Sequence, residues 1–227
     1  FRSGFRKLSR DELALNLLDH QDFRVRLRAQ FELVRRALDG EKETLQLLGT
    51  LAVTDYTTGI NQRHAIWALG QIGRKNSEAL PLLRRVLTHR IDEARAQATK
   101  TLGDLRDAAS EEAFLELLQE DKSVRVRFFA ANALGRIRSK KAIDPLFELL
   151  RKNADEDPFL SHAAVVALHS IGDLDPVLAR AASDNKAERL AAILILRRAS
   201  SPQLTRFLND PDLSLVTEVA RAINDLP

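Results

Sequence analysis

Apolar residues along the chain recur at spacings of three and four, the period of a helix with one buried face. No stretch alternates apolar and polar positions over the length of a strand, so the pattern predicts no sheet. Shorter helices, such as the one predicted over residues 43–52, alternate with longer helices in which small residues stand one turn before a leucine. The pattern therefore predicts an all-α fold.

The longer helices are copies of one motif. Aligning them on the leucine or isoleucine that follows the small residues gives the anchor positions Leu33, Leu69, Leu102, Leu134, Leu168, Leu196 and Ile223. Successive anchors are 36, 33, 32, 34, 28 and 27 residues apart. Such a period, with two helices in each repeat, is typical of helix-pair solenoids.

The anchors divide the chain into about seven repeats. We expect a basic linker over residues 1–8 and a solenoid over residues 9–227. The approximate bounds of the repeats are 9–38, 41–73, 76–106, 110–138, 139–172, 173–199 and 201–226.

Small residues are predicted to set the spacing between repeats. Without bulk at these positions, neighbouring helices can approach closely while the anchors fill the layer between them. An alanine lies one turn before each of the first six anchors, at Ala29, Ala65, Ala98, Ala130, Ala164 and Ala192.

Residues that favour helix ends agree with this division. Serines stand where N-caps belong, prolines suit first turns, and glycines fall where helices should stop. These residues are Ser9, Ser77, Ser110 and Ser201, then Pro158, Pro202 and Pro211, then Gly40, Gly73 and Gly172.

One segment carries a family motif. Val126 to Ile137 reads VRFFAANALGRI and resembles the second-helix motif of HEAT repeats, V-R-x-x-A-A-x-A-L-G-x-I. The resemblance extends over nearly the whole chain and implies an armadillo-type α-solenoid, a superhelix of HEAT-like helix pairs. HEAT arrays serve many tasks, so the fold alone says little about function.

The order of several segments resembles a narrower group. LLDHQDFRVRLRAQFEL, QRHAIWALGQIGR, VRVRFFAANALGRI, NADEDPFLSHAAVVAL and EVARAINDLP follow one another here. Together they resemble the HEAT region of large bacterial proteins of planctomycete type, the membrane-bound dehydrogenases or haem-binding CxxCH proteins. In that family the HEAT region lies between a sugar-dehydrogenase-like β-propeller and a cytochrome c domain. The resemblance therefore implies a periplasmic or other extracytoplasmic location and redox partners. Since the chain begins at Phe1 and holds no Met, we expect it to be a segment of such a protein.

Composition removes most catalytic chemistry from this segment. The chain has no Cys, which excludes disulfides, thiolate catalysis, zinc–cysteine sites and covalent haem attachment within it. It contains no GxxxxGK[ST], GxGxxG, HExxH or GxSxG motif. We therefore predict no catalytic residue and no cofactor, so that any oxidoreductase activity belongs to the parent protein. No apolar run approaches the roughly 20 residues that cross a bilayer, so no membrane insertion is expected.

The charge of the chain is mild and local. Nine Lys and Arg face five Asp and Glu up to Ala37, whereas the net charge of the whole chain is only +3. A nucleic-acid binder usually shows a sustained basic stripe, so no nucleic-acid partner is expected. A DNA glycosylase of the HEAT-like class is disfavoured for the same reason.

Two places suggest a metal, and each has a structural alternative. His162 and His169 are seven residues apart and could share a helix face, but a site would need ligands from another repeat. The acidic segment NADEDP suggests Ca²⁺ but lacks the spaced oxygen ligands of an EF-hand loop. The favoured interpretation makes Asp157 an N-cap and Pro158 the first helical residue, and we predict no metal.

A recurrent arginine precedes the anchors, at Arg26, Arg95, Arg127 and Arg189. These side chains could bind an anionic partner. The favoured alternative is structural, because in HEAT repeats this arginine commonly bonds an aspartate in the turn of its own or the next repeat. Asp22, Asp121 and Asp184 lie in suitable turns.

A partner surface is predicted on the second helices, which line the concave side of HEAT solenoids. Positions two, five and six residues before each anchor should point away from the core. Large aromatic residues and arginines at such positions suggest an interface. The candidate residues are Arg28, Phe31, Arg63, His64, Trp67, Lys100, Phe128, Phe129, Asn132, Arg136 and His162. The alternative is a helix phase shifted by one residue, which would bury Trp67 and Phe128.

These observations favour a non-catalytic scaffold. Its partner would be a protein, either another domain of the parent chain or a redox partner. The alternative is a bilin lyase or another small-molecule handler built on HEAT repeats, which would require a pocket with convergent polar groups instead of an open groove.

Overall fold

The structure, a computed structural model, describes residues 2–55 and 59–224. It divides into two compact units, Phe1–Ser110 (unit 1) and Glu111–Pro227 (unit 2), and each unit is described by itself. Helices dominate both units, and the described residues contain no strand. None of the helices within these ranges is both long and apolar enough to span a bilayer.

Unit 1 consists of helix pairs in which the second helices pack on one another. Helix α2 contacts α4, and α4 contacts α6, while α3 and α5 pack behind them. The α-helices are α1 (Arg2–Lys7), α2 (Phe23–Leu38), α3 (Lys42–Val53), α4 (Ile60–Gly73), α5 (Ala79–Arg84) and α6 (Asp92–Asp104). A π-helix at Glu12–Leu17 and 3₁₀ turns at Arg85–Thr88 and Ala108–Ser110 complete the unit.

Unit 2 repeats this arrangement. Helix α8 contacts α10, α10 contacts α12, and α12 contacts α13. The α-helices are α7 (Glu111–Glu120), α8 (Val124–Ile137), α9 (Ile143–Asn153), α10 (Pro158–Ile171), α11 (Leu174–Ala179), α12 (Lys186–Arg198) and α13 (Leu213–Asn224). Lys140–Ala142, Arg180–Ala182 and Pro202–Phe207 form 3₁₀ turns.

The first helices of two predicted repeats are not α-helical. In the repeat 9–38 the first helix is the π-helix Glu12–Leu17, and in the repeat 201–226 it is entirely 3₁₀. At the start of the chain, the residues assigned to a linker include α1. Short 3₁₀ runs are common where a helix cannot extend beyond one or two turns.

The predicted core is confirmed at nearly every repeat. The six leucine anchors are at most 2% exposed, and all six small-residue alanines are fully buried. The last anchor is the exception: Ile223 is only half-buried, and Ala222 beside it takes the buried position. The helix phase predicted from the repeat is therefore correct for the first six anchor helices and one residue off in α13.

Small residues allow the second helices to approach closely. A Cβ atom at Gly135 would lie 2.6 Å from the Cα atom of Ala167, so α8 and α10 touch through their backbones. A Cβ atom at Gly70 would lie 2.5 Å from the Thr101 Cγ2 atom, so α6 packs closely against α4. The close spacing of helices predicted from the alanines is confirmed here, with glycine at the tightest points.

Several predicted helix caps form. The Ser9 hydroxyl accepts from the Glu12 backbone N–H at 3.1 Å while the Glu12 carboxylate accepts from the Ser9 N–H at 2.8 Å, a reciprocal capping box. Ser201 accepts from the Gln203 N–H at 3.3 Å. Gly172 ends α10 with φ +80°, the left-handed conformation that favours glycine.

Three predicted boundary residues have other roles. Ser77 does not cap a helix, because Asn76 accepts from the Glu78 N–H in the turn before α5. The Ser110 hydroxyl donates to the buried Asp107 carboxylate at 2.6 Å. Pro211 lies before α13, which begins at Leu213.

Candidate functional site

The predicted partner surface in unit 1 is partly exposed. Phe31 on α2 is 53% exposed and Trp67 on α4 is 37% exposed. Arg28 and Lys100 are exposed and Arg63 is half-buried. We call these residues, Arg28, Phe31, Arg63, Trp67 and Lys100, the Trp67 face. The shifted helix phase that would have buried Trp67 is therefore wrong for this unit.

His64 corrects one prediction for this face. The sequence places it with the exposed positions, but the side chain is only 5% exposed. Its Nδ1 atom lies 2.7 Å from the Gln30 Oε1 atom, and its Nε2 atom lies 3.2 Å from the Arg26 Nε atom. Position five before the anchor faces the preceding second helix, α2, which covers it.

These partners determine the protonation of His64. Arginine can only donate, so Nε2 accepts from Arg26 and the ring proton sits on Nδ1, from which it donates to Gln30. Burial, together with the cations Arg26 and Arg63, lowers the pKa of His64 to about 4. The imidazole is therefore neutral near pH 7.

Trp67 is held in one orientation from both sides. Its indole N–H donates to the Gln97 Oε1 atom on α6 at 2.9 Å, and the Gln97 amide donates to Glu93 at 2.8 Å. The His64 ring meets the indole in a T-shaped contact, with centroids 5.0 Å apart. Gln30 and Gln97 complete this chain of contacts across three helices but were not among the predicted candidates. Gln97 stands five residues before its anchor, where the repeat predicts an outward side chain, yet it is buried.

A shallow groove lies between Trp67 and α6. Its volume is about 190 Å³, and it is lined by Trp67, Gly70, Gln71, Arg74, Lys100, Thr101, Asp104 and Leu105. The Lys100 ammonium binds the Asp104 carboxylate at 2.7 Å. The groove combines an aromatic wall with cationic groups.

The candidate residues in unit 2 are less exposed. Phe128 and Phe129 on α8 are both half-buried and form a T-shaped pair with centroids 5.2 Å apart. The Arg125 guanidinium lies 5.5 Å from the Phe129 ring centroid. Asn132 is half-buried and donates to the Phe128 carbonyl at 2.8 Å, and Arg136 is exposed. Both rings therefore pack partly inward, in keeping with the constraint that two consecutive helix residues cannot point the same way.

His162 is exposed and lines a cleft between α10 and α12. The cleft has a volume of about 320 Å³, and its apolar wall includes Val165, Leu190 and Leu194. Asp155, Ser161 and Arg198 add polar groups at its edges. The cleft is therefore the candidate pocket for the small-molecule alternative.

The acidic segment is a helix cap. Asp157 Oδ1 accepts from the backbone N–H groups of Phe159 and Leu160 at 2.9 and 3.0 Å, and Pro158 is the first residue of α10, as predicted. Asp155 accepts from the Ser161 hydroxyl at 2.9 Å. Within residues 2–55 and 59–224, no three His, Asp or Glu side chains come together as a metal site.

A family model of HEAT repeats matches the chain in four overlapping stretches, residues 11–99, 59–123, 87–169 and 111–197. The chain belongs to the HEAT-repeat family. The fold is the all-helical α-solenoid class that the sequence predicts. Curated proteins gave no match.

Solved structures share this fold. YibA of Escherichia coli is 20% identical over 99% of this chain and 84% of that chain, with a TM-score of 0.59. The complex of CpcE and CpcF of phycocyanin lyase from Nostoc sp. PCC7120 matches at 19% identity over 97% of this chain and 96% of that chain, with a TM-score of 0.53. At these identities the similarity concerns the fold alone.

The recurrent arginine of these HEAT repeats is structural. Arg26 donates from Nη1 to the carbonyls of His20 and Gln21 at 2.6 and 2.8 Å. Arg95 and Arg189 donate in the same way to the carbonyls six and five residues before them. These three arginines therefore close the turns that precede their own helices.

An aspartate from the turn of the next repeat binds Arg189, the kind of partner predicted, whereas Asp22 pairs elsewhere. Arg189 also binds Asp210, which lies in the turn of the next repeat, with Nε 2.8 Å from Oδ2. Asp22 pairs with Arg24 of its own helix. Arg127 does not share these contacts, because its Nε atom is buried without a hydrogen-bond partner among the described residues.

Proposed function

We propose that this chain is a non-catalytic HEAT-repeat scaffold that binds a protein partner through its second helices. The observation that carries the proposal is the Trp67 face. It presents two large aromatic side chains, Phe31 and Trp67, from neighbouring helices with arginines beside them. Aromatic residues and arginine are enriched at the centres of protein interfaces. Repeat proteins commonly use such extended surfaces for binding.

The contacts around Trp67 favour tight binding. Hydrogen bonding to Gln97 and the ring of His64 fix the indole before a partner arrives. A side chain that is already ordered loses less conformational entropy on association. Truncating such a residue at an interface centre typically costs about 2 kcal/mol or more, roughly a 30-fold loss of affinity.

The test compares partner capture by three variants. Trp67→Ala and Phe31→Ala should reduce recovery of a partner from a lysate of the source cells, while Leu213→Ala, which truncates a residue 79% exposed on α13, should not. The circular dichroism spectrum and the melting temperature of each variant should remain near those of the unmodified chain. Since Trp67 is partly buried, Phe31→Ala keeps the test valid if Trp67→Ala unfolds. Equal capture by all variants would reject the proposal.

The proposal extends to unit 2 and to the parent protein. Phe128, Phe129, Asn132, Arg136 and His162 form its partner-binding candidates in unit 2. The partner would be a redox protein or another domain of a larger extracytoplasmic dehydrogenase of the planctomycete type. An antibody to this segment should then detect a band far larger than 25.5 kDa that also stains for covalent haem. A haem-free band near that mass would leave a free-standing adaptor.

A second candidate function is the handling of a small molecule, such as a bilin, in the cleft of unit 2. The cleft volume of about 320 Å³ lies at the lower limit of small-ligand sites. The dye 8-anilinonaphthalene-1-sulfonate, which joins an apolar ring system to an anion, serves as a probe. Saturable binding that is lost in Leu194→Asn and kept in Leu213→Asn would support this function, and binding equal in both variants would reject it.

A further inference from the structure

The charged residues on and directly after α4, the helix that carries Trp67, are all cationic. Arg63, Trp67 and Arg74 are four and seven residues apart, which places them within about 40° of one another around the helix axis. Helix α4 reads INQRHAIWALGQIG and holds no Asp or Glu. The stripe therefore presents an indole between two guanidinium groups, over a helix rise of about 16 Å.

Two carboxylates beside this stripe are already engaged. Asp104 in the groove beside Trp67 is bound by Lys100 at 2.7 Å, and Glu93 accepts from the Gln97 amide at 2.8 Å. Over the described residues, no carboxylate pairs with Arg63 or Arg74. These two arginines are available to an anionic partner.

We infer that the Trp67 face, together with the exposed Arg74 directly after α4, binds an acidic peptide segment with one apolar side chain between its carboxylates. This inference rests on the proposed function and specifies the chemistry of the partner. The apolar side chain packs against the indole, and acidic residues on either side meet Arg63 and Arg74. An extended segment rises about 3.3 Å per residue, so about five residues span the stripe. Arginine forms bidentate hydrogen bonds with carboxylates, which adds direction to the attraction.

The chain provides its own reporter for this binding. Trp67 is the sole tryptophan, so emission excited at the red edge of tryptophan absorption reports on this face alone. The probes are three blocked pentapeptides of sequence EEFEE, SSFSS and KKFKK. We expect EEFEE to change the emission saturably, at least tenfold more tightly than SSFSS, and KKFKK to give no saturable change.

Matched variants test the role of the arginines. Arg63→Gln and Arg74→Gln should each weaken EEFEE binding about fivefold or more. Arg206→Gln removes the same charge from the 3₁₀ turn Pro202–Phe207 in unit 2 and should leave binding unchanged. Binding of EEFEE should also weaken as salt rises from 50 to 300 mM, because salt screens exposed charges.

The outcomes separate this inference from the proposed function. Equal binding of EEFEE and SSFSS, or full binding by both arginine variants, would overturn the acidic preference while leaving the face as an apolar docking surface. Failure of all three peptides would overturn the inference of a short acidic segment. The proposed function would then depend on capture of a native partner, which Phe31→Ala and Trp67→Ala test independently.

Discussion

Buried polar side chains hold the partly exposed Trp67 in place. His64 and Gln97 lie on either side of Trp67 and are themselves fixed by Gln30 and Glu93. A buried polar group is costly unless it is hydrogen-bonded, so each member of this chain depends on the next. The orientation of the indole therefore depends on buried residues beneath the exposed face.

Protonation of His64 should make the fold sensitive to mild acid. Its folded-state pKa of about 4 lies below the ordinary value of 6.5, so the unfolded chain binds the proton first as the pH falls. The stabilisation is complete above pH 6.5 and is lost between pH 6.5 and 4, with a loss of about 2 kcal/mol after allowance for solvent screening.

The free energy of unfolding, measured in urea at pH 7, 6, 5 and 4.5, checks this prediction. The free energy of unfolding of the unmodified chain should fall as the pH is lowered over this range. The fall should be smaller in His64→Gln, which has no titratable group at this position. Parallel curves for the two proteins would show that the proton on His64 is not linked to folding.

The ion pair between Arg189 and Asp210 should be one of the costliest to break. The side chains are only 10% and 2% exposed, and Arg189 also holds two turn carbonyls. Asp210→Ala leaves a buried guanidinium without its counter-charge, so we expect a loss of about 3–5 kcal/mol.

Glu148→Ala provides the matched control, because Glu148 pairs with Lys152 at 3.6 Å on an exposed surface. Such pairs contribute about 0–1 kcal/mol. Urea unfolding of both variants measures the difference, and similar losses for the two would contradict the structural role of Arg189.

At the scale of elements, small residues determine how closely the second helices pack. Helices α8 and α10 approach until the backbone of Ala167 fills the space above Gly135. At the other repeats, the buried alanines before the anchors likewise leave room for neighbouring helices to pack closely. Interiors are packed too densely to absorb an additional methyl group without a shift.

Gly135→Ala should therefore destabilise the chain by about 1–3 kcal/mol, although alanine favours helix. The added Cβ atom would lie 2.6 Å from a backbone atom, so whole helices must move. Gly4→Ala, where nothing lies within 4 Å, should be neutral or slightly stabilising. Thermal melts compare the two variants, and equal melting temperatures would show that α8 and α10 separate easily.

At the scale of the whole molecule, stability is a sum of local contacts. Each helix of this HEAT-repeat chain packs mainly on the helices of its own and adjacent repeats, as α8 does on α7 and α10. Repeat proteins of this kind lose structure region by region because few contacts connect distant repeats.

Leu134→Ala should show this local response within unit 2. The truncation at a fully buried anchor should cost about 2–5 kcal/mol through lost transfer energy and the cavity left behind. Hydrogen exchange followed by mass spectrometry should show the largest loss of protection in α7, α8 and α10, and a smaller loss in α13. Uniform loss through unit 2 would indicate that it unfolds as one cooperative block.

The sequence determined the repeat, the helix class and most of the core, because burial on one side of a helix imposes a period that is visible in a single chain. It also predicted the exposure of Phe31 and Trp67, with a helix phase shifted by one residue as the alternative. Only the tertiary structure decided the burial of His64, the hydrogen bond between Trp67 and Gln97, and the half-burial of Phe128. These depend on the distance and rotation between neighbouring helices, which the period within one helix does not contain. The partner of Arg189 was decided in the same way, because several aspartates lie at suitable spacings and only packing selects Asp210.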